Sequence, residues 1–520
     1  MNKRMLLKVV PAALLAIFAV FVLNACAPQE LQPIVYTVTV PAPETQYAEI
    51  EVVVPSGGEE IELMMPVWSP GYYRVENYAS RVEDLAAHMQ DGAALRVDQP
   101  EDNRWHISTD GAETVIVSYR LLCNGRSVTT NWISEDLCVL NGAAAFITLA
   151  ESTPRPHEVH IEMPASWTRA MTGLDDAPDG IPNHFQADDY DILVDSPIVA
   201  GNPVVTEFET GGKKHYLVDI GDLGQWESAR AAADIEKFVE ETFLFWGFLP
   251  YEKYVFLNVF RRGGGGLEHK NSTLLTSSAG RSSTPSLSWL MFVSHEYFHT
   301  FNVKRLRPVE LGPFDYENPP NTSGLWIAEG FTSYYGDLLV ARCGLCSTEE
   351  YLSRLSSDIG RLQNTPGRLV QTLERSSLDV WTIGMMGGDN ATTISYYVKG
   401  AVAGFLLDAE IQRATDGMKS LDDVMRLAYQ RYGGERGFTA DEFRETAEEI
   451  AGIDMKDWFR KTVSSTEELE YDKALEWFGL RFAGTDAQDS AQEWNLEIRK
   501  DATESQKDRM QKWLRSATDR

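Results

Sequence analysis

His295-Glu296-Tyr297-Phe298-His299 constrains this chain more than any other stretch. On a helix, residues four apart stand one above the other on the same face, so both imidazoles can aim at a single metal ion. Neutral imidazoles suit zinc, and the intervening carboxylate, Glu296, is placed to act as a general base toward water. With 9 histidines in 520 residues, the pattern should arise by chance in roughly one such chain in a hundred, so its surroundings decide its meaning. Those surroundings read as helix. Thr284-Pro285 predicts an N-cap followed by a first-turn proline, Trp289 to Val293 is an apolar run, and Pro308 predicts the stop. The plain alternative is two helix histidines satisfied by backbone or water.

A catalytic zinc takes three protein ligands and keeps a fourth position open. Glu329 in Trp326-Ile327-Ala328-Glu329-Gly330 is the candidate third ligand. It lies in an apolar-periodic segment, Leu325 to Val340, where a carboxylate is tolerated when paired or metal-bound. The competing reading is a helix-start carboxylate offsetting the macrodipole.

His295 to Pro308 and Leu325 to Leu339, with Gly263 to Thr273 upstream and Ile394 to Asp408 downstream, resemble the glycyl-aminopeptidase family of gluzincin zinc metallopeptidases. The resemblance covers roughly Ile34 to Leu480, with its motifs in the expected order. It implies one Zn2+ per chain, held by His295, His299 and Glu329, with Glu296 as the base. It further implies that an edge strand containing Gly265 and Gly266 holds the substrate backbone while Glu268 meets a free α-amino group. Tyr397, in a Y-x-K-G pattern, is implied as the oxyanion donor, with Tyr396 as the fallback. The chemistry is sensible: a buried carboxylate near the metal selects an ammonium, and a phenol donates a hydrogen bond without carrying charge. Taken alone, Glu268 reads as a surface ion pair and Tyr397 as ordinary core; His269 has no assigned role. The implied activity is hydrolysis of the first peptide bond of peptides with a free N-terminus, with Gly or Ala first. Two rivals stand beside it: a zinc endopeptidase on the same scaffold, and a non-catalytic surface-binding lipoprotein.

Around these motifs the expected class is α+β. Residues 34–201 alternate with period two between Pro and Gly breaks, which predicts an N-terminal β-sandwich-like domain. Residues 202–480 predict a thermolysin-like, mainly helical catalytic domain. Its elements begin with a helix at Trp226 to Trp246, a strand at Tyr254 to Phe260, and a mobile glycine loop at Arg261 to Gly266. That loop lacks the Gly-Lys-Ser/Thr of a phosphate cradle. Further helices are expected at Thr348 to Leu362, Gly400 to Arg413, Ser420 to Tyr432 and after the capping Thr439. Residues 481–520 form a polar tail with a short helix, Thr503 to Leu514. Many relatives carry a PDZ-type domain at this end, and about 40 residues fall short of the roughly 50 that a domain needs, so the expectation is a member without it or a truncated chain.

The formal charge of −30 argues against nucleic acid as a partner. Residues 1–25 hold Lys3, Arg4 and Lys8 ahead of an apolar run, Val9 to Leu23, broken by Pro11: a secretory signal rather than the roughly 20-residue span a membrane core needs. Leu23-Asn24-Ala25-Cys26 resembles a bacterial lipoprotein signal. It implies lipid on Cys26, a lipidated linker over 26–33, and an exported protein anchored to a membrane and facing periplasm or cell exterior; an uncleaved anchor is the alternative. Nothing in the pattern fixes an oligomeric state. Cys123 and Cys138 are candidates to pair in an oxidising compartment, whereas Cys343-Gly344-Leu345-Cys346 lacks a second half-site and reads as plain thiols after a helix capped by Gly344.

Overall fold

The computed structural model describes residues 31–150, 154–261, 263–278, 282–484 and 494–516. The leader, Cys26 and most of the expected linker lie outside the described residues. Among those described, no helix is long and apolar enough to cross a membrane.

Alternation builds the first domain. Thr114–Leu122 buries every second side chain, and Ile34–Thr39 and Tyr47–Pro55 do the same. Ile34–Thr39 lies between Tyr47–Pro55, antiparallel, and His157–Glu162, parallel, within an eight-stranded mixed sheet. Two four-stranded sheets add Trp105 and Ile107, and Leu140 and Ile198, to the same core as Tyr36, Val52 and Val117. The layered β architecture follows the sequence reading. Cys123 and Cys138 do not form the bridge considered above: both are free and buried. Cys123 Sγ points at Leu121 O, 3.4 Å away, and burial pushes its thiol up to about 12. Cys343 and Cys346 are free as well, and Gly344, at φ +78, stands just past the helix Thr332–Arg342.

The second domain opens with a five-stranded sheet in the order Val204–Thr210, Lys213–Gly221, Lys253–Phe260, Ser272–Ser277, Gly265–Glu268. The amphipathic helix Ser228–Trp246 connects the parallel neighbours Lys213–Gly221 and Lys253–Phe260. Among the described residues, Gly265–Glu268 pairs only with Ser272–Ser277, antiparallel, and leaves its other edge free. Gly265 and Gly266 are therefore strand residues, not the mobile loop read from the glycine run. Missing side chains here admit neighbouring groups to the backbone instead of freeing it.

Leu287–Phe298 is capped by Ser286, whose hydroxyl accepts from Trp289 N at 3.2 Å, two residues later than the Thr284 cap expected. It ends at His299, well before Pro308. The cause is Asn302, which turns back so that its carbonyl accepts from His299 Nδ1 at 2.8 Å. The same Asn302 donates through Nδ2 to Ile327 O, Ala328 O and Thr332 Oγ1 at 2.9, 3.2 and 3.0 Å. Those bonds satisfy carbonyls of a π-helical turn, Trp326–Phe331, that leads into Thr332–Arg342. Tyr396–Ala414 begins four residues before the expected Gly400 because Ser395 caps it, accepting from Val398 N. It meets the π turn backbone to backbone: a Cβ on Gly330 would lie 2.4 Å from Gly400 Cα. A Cβ on Gly336 would lie 2.9 Å from His295 Cα. Three helices are thus locked at bare-backbone contacts within a turn of the motif residues. At the C-terminal end, Leu480–Phe482 pairs with Leu496–Ile498, and Glu504–Leu514, capped by Thr503, buries Trp513 against Phe478 and Tyr351.

Lys399, in the first turn of Tyr396–Ala414, is 1% exposed. Burial pulls its ammonium down to about 8, against the attraction of Glu468. A lysine with a lowered folded pKa costs stability in full below that pKa, and the cost fades as pH rises toward the unfolded value near 10.4. Lys399→Met should therefore raise the melting temperature by roughly 2–4 °C at pH 7, with the advantage gone by about pH 10. Paired thermal scans of variant and parent across that range measure it; an advantage equal at both pH values would contradict the account.

Candidate metal centre and active-site cleft

The eight residues singled out from the motifs line one cleft of about 1260 Å³ between the two domains: His295, His299, Glu329, Glu296, Glu268, Gly265, Gly266 and Tyr397. His299 Nε2 lies 3.0 Å from His295 Nε2 and 3.1 Å from Glu329 Oε2, and His295 Nε2 is 3.7 Å from the same oxygen. Because a carbonyl only accepts, the Asn302 bond fixes the His299 proton on Nδ1 and turns Nε2 toward the cluster. His295 Nδ1 faces Ser333 Oγ at 3.4 Å, and Ser333 Oγ donates to Glu329 O at 2.9 Å. Glu329 Oε1 is buried with no hydrogen-bond partner.

Two imidazole nitrogens and a carboxylate oxygen converging within 4.8 Å, with both imidazole outer nitrogens engaged and a carboxylate oxygen left over, fit a divalent metal. Without one, the charges settle on protons. Burial alone would hold His299 low, but Glu329 and then Glu268 outweigh it and raise the imidazole to about 9. Burial likewise opposes ionisation of Glu329, yet His299 and His295 pull it down to about 2. His295 is drawn down to about 4, chiefly by burial.

Glu296 and Glu268 face one another across the cleft, their carboxylates and His299 forming a second close group. Glu296 is pushed well up by burial and then by Glu268; Glu268 is raised by burial too. Gly266 lets Glu296 and Phe292 approach the edge strand, since a Cβ there would lie 2.5 Å from Glu296 Cδ and 2.6 Å from Phe292 Cζ. Tyr397 sits in the first turn of its helix with its ring near-parallel to His295, centroids 6.2 Å apart. Tyr396 is buried behind it, stacked at 4.8 Å, and does not line the cleft. Burial raises the Tyr397 phenol well above its usual value and keeps it a donor.

Several contributors escaped the sequence reading. Gly71, at φ +92 in the first domain, abuts Glu268: a Cβ there would lie 2.9 Å from its Cδ. The loop bearing Gly71 is pinned to the second domain by Trp68 Nε1 donating to Asp315 O at 2.8 Å and by Trp68 and Tyr73 packing edge-on against Trp381. Lys304, buried, pairs with Asp195 at 2.8 Å, and Asp195 also holds His269 Nδ1 at 3.2 Å and accepts from Lys270 N at 2.6 Å. The Lys304 ammonium lowers both Glu268 and Glu296 against burial. Asp195 follows the short helix Tyr190–Val194, and nothing in the sequence marks it as a partner for a lysine 109 residues away.

Fold and cluster together define a thermolysin-type metallopeptidase. A solved structure from Idiomarina loihiensis, described as an aminopeptidase N family protein, is similar with a TM-score of 0.81 and 28% identity over 86% of this chain and 78% of that one. An M1 zinc metallopeptidase from Deinococcus radiodurans shares the fold, with a TM-score of 0.53 and 14% identity over 85% of this chain and 95% of that one. No curated protein sequence matches the chain. Models of the peptidase M61 N-terminal domain and of the M61 glycyl aminopeptidase match residues 35–202 and 288–403. The chain belongs to the M61 glycyl aminopeptidase family, and it is a peptidase.

Gly266→Ala should displace Glu296 from the edge strand while sparing the His295, His299 and Glu329 donors. The expected result is a fall in kcat of about 10²-fold, the scale of an ångström-sized misplacement, at unchanged metal content. Steady-state kinetics beside metal analysis decide it; loss of metal in parallel would locate the damage in the cluster.

Proposed function

We propose that this peptidase is a zinc-dependent aminopeptidase that removes a first Gly or Ala from peptides with a free N-terminus. The observation that carries this reading is Glu268: 4% exposed, its Oε1 unpartnered, at the end of a free edge strand and walled by Gly71. A buried carboxylate with an unused oxygen is a site for an ammonium.

Zinc held by His295, His299 and Glu329 supplies, when bound, a Lewis acid for the scissile carbonyl and an acidified water. The protein's own groups do the rest. The open backbone edge of Gly265–Glu268 holds the substrate main chain as an added strand. Glu268 accepts from the α-ammonium, which fixes the first peptide bond beside Gly266. Glu296, packed against that glycine, takes the proton of the attacking water and passes it to the leaving amine. Tyr397 donates its hydroxyl to the oxyanion as negative charge develops. Gly71 closes the space beside Glu268, which supports a small first side chain and disfavours the endopeptidase alternative, whose substrate would have to continue past that wall. Sequence alone supports the companion proposal of export and lipid anchoring at Cys26; Cys26→Ser should then move the protein from the membrane to the soluble fraction.

Acetylating the N-terminus of a Gly-Ala peptide should lower kcat/KM by at least 10²-fold, because the carboxylate of Glu268 loses its charged partner. Equal cleavage of free and blocked peptides would remove Glu268 from this role. Glu296→Gln should abolish turnover with one zinc per chain retained; undiminished turnover would discard Glu296 as the base.

A further inference from the structure

The leaving-group side of the cleft carries charge of the opposite sign to the rest of the chain. Glu268 stands at one end of the edge strand, Gly266 beside Glu296 marks the reacting bond, and Gly265 and Gly264 lead away from it. A substrate strand whose amine meets Glu268 therefore runs antiparallel along this edge, advancing about 3.3 Å per residue, and its third residue arrives beside Gly264. There the first domain closes in. A Cβ on Gly265 would touch Val128 Cγ1 at 3.7 Å, and Arg126 and Ser127 adjoin Val128 in the cleft wall. Arg261 follows the strand Lys253–Phe260, donates its backbone N–H to Ser277 O at 2.9 Å, and lays its guanidinium over the Trp132 ring, 4.9 Å from the centroid. Both arginines line the cleft. Burial, then the charge of Arg126, holds the Arg261 guanidinium below its usual value, so the two cations feel one another.

The far wall carries arginines of its own. Arg354 lies 2.9 Å from Asp337 and 3.6 Å from Asp358, which also faces Arg361 at 3.8 Å. Those arginines are neutralised by their neighbours. Among the described residues, no carboxylate lies within ion-pair distance of Arg126.

We propose that Arg126 and Arg261 form a carboxylate subsite on the leaving-group side, taking the C-terminal carboxylate of a tripeptide or an acidic side chain at the third residue. The proposal rests on the aminopeptidase reading for its direction along the strand. Guanidinium groups suit the task, since they bind carboxylates through paired N–H donors and stay charged at any physiological pH. It makes this enzyme a finisher of short peptides, or a trimmer of those with an acid near their start.

Binding to the zinc-loaded, full-length Glu296→Gln protein reads the subsite without turnover. By calorimetry, Gly-Ala-Ala with a free C-terminus should bind about tenfold more tightly than its amide, the scale of one charge-assisted hydrogen bond. Gly-Ala-Glu-amide against Gly-Ala-Gln-amide separates the side-chain source from the terminal one. Adding Arg126→Gln should bring the favoured ratio close to one, Arg126→Lys should keep part of it, and raised salt should shrink it. Ratios within twofold for both pairs, or a ratio that survives in both Arg126→Gln and Arg261→Gln, would overturn the subsite. N-acetyl-Gly-Ala-Ala is the separate control: unchanged binding on acetylation would sink the role of Glu268, while the acid-to-amide ratio would still report on the arginines.

Discussion

Glu268, Glu296 and Glu329 are gathered at the catalytic end of this cleft with Asp195 beneath them, and the buried ammonium of Lys304 set among them is already paired with Asp195. Such a group is costly unless cations complete it. On the proposed function, a dication at the histidines and an α-ammonium at Glu268 would supply that charge. In their absence the deficit is met by protons: the carboxyls of Glu296 and Glu268 shift upward and His299 holds on to its proton. On the same proposal, the imbalance that makes these carboxylates costly on their own gives the cleft affinity for a metal and selectivity for an unblocked N-terminus.

Keeping that charge in place is the work of backbone contacts and one asparagine. Asn302 fixes the tautomer of His299 through its carbonyl and steadies the π turn carrying Glu329 through its amide, so two candidate ligands from separate elements answer to a single residue. Gly336 and Gly330 bring the helix of Glu329 against those of His295 and Tyr397 more closely than any side chain would permit. Positioning of this kind is rigid because it rests on main chain rather than on rotamers.

What could be read from the sequence follows from the range of each interaction. His295, Glu296 and His299 announced themselves because their geometry is local: a spacing of four along one helix brings the two imidazoles together beside the carboxylate. Glu329 stood out as an acid in an apolar-periodic run, whereas Glu268 and Tyr397 needed the family resemblance, since a lone buried acid or tyrosine has many reasons to exist. The β alternation of the first domain was legible for the same local reason, as period two survives wherever one face is buried. Helix ends were misplaced where tertiary contacts set them. Proline at 308 looked like the stop, but the Asn302 carbonyl ends the helix sooner; the glycine run looked mobile, but packing of Phe292 and Glu296 against it makes a strand edge. Asp195 with Lys304, and Gly71 with Glu268, join positions more than a hundred residues apart with no shared motif. No window along the chain contains both halves of either pair.

Gly71 and Arg126 also bear on why the first domain is there at all. A catalytic sheet and helix set can present a metal, a base and an edge strand by itself, and with both ends of that edge open it would accept a chain anywhere along its length. The first domain occupies one end with a glycine that must stay bare at positive φ beside Glu268, and brings Val128 and its neighbours to the other. On the proposed function it thereby converts a strand-binding groove into a measured slot. Exopeptidase character on this view belongs to the contact between domains rather than to the metal centre, and the anchor that maintains it is the Trp68 and Tyr73 packing on Trp381. A substitution that loosens that anchor would relax the choice of cleavage position while leaving the chemistry of His295, Glu296 and His299 in place.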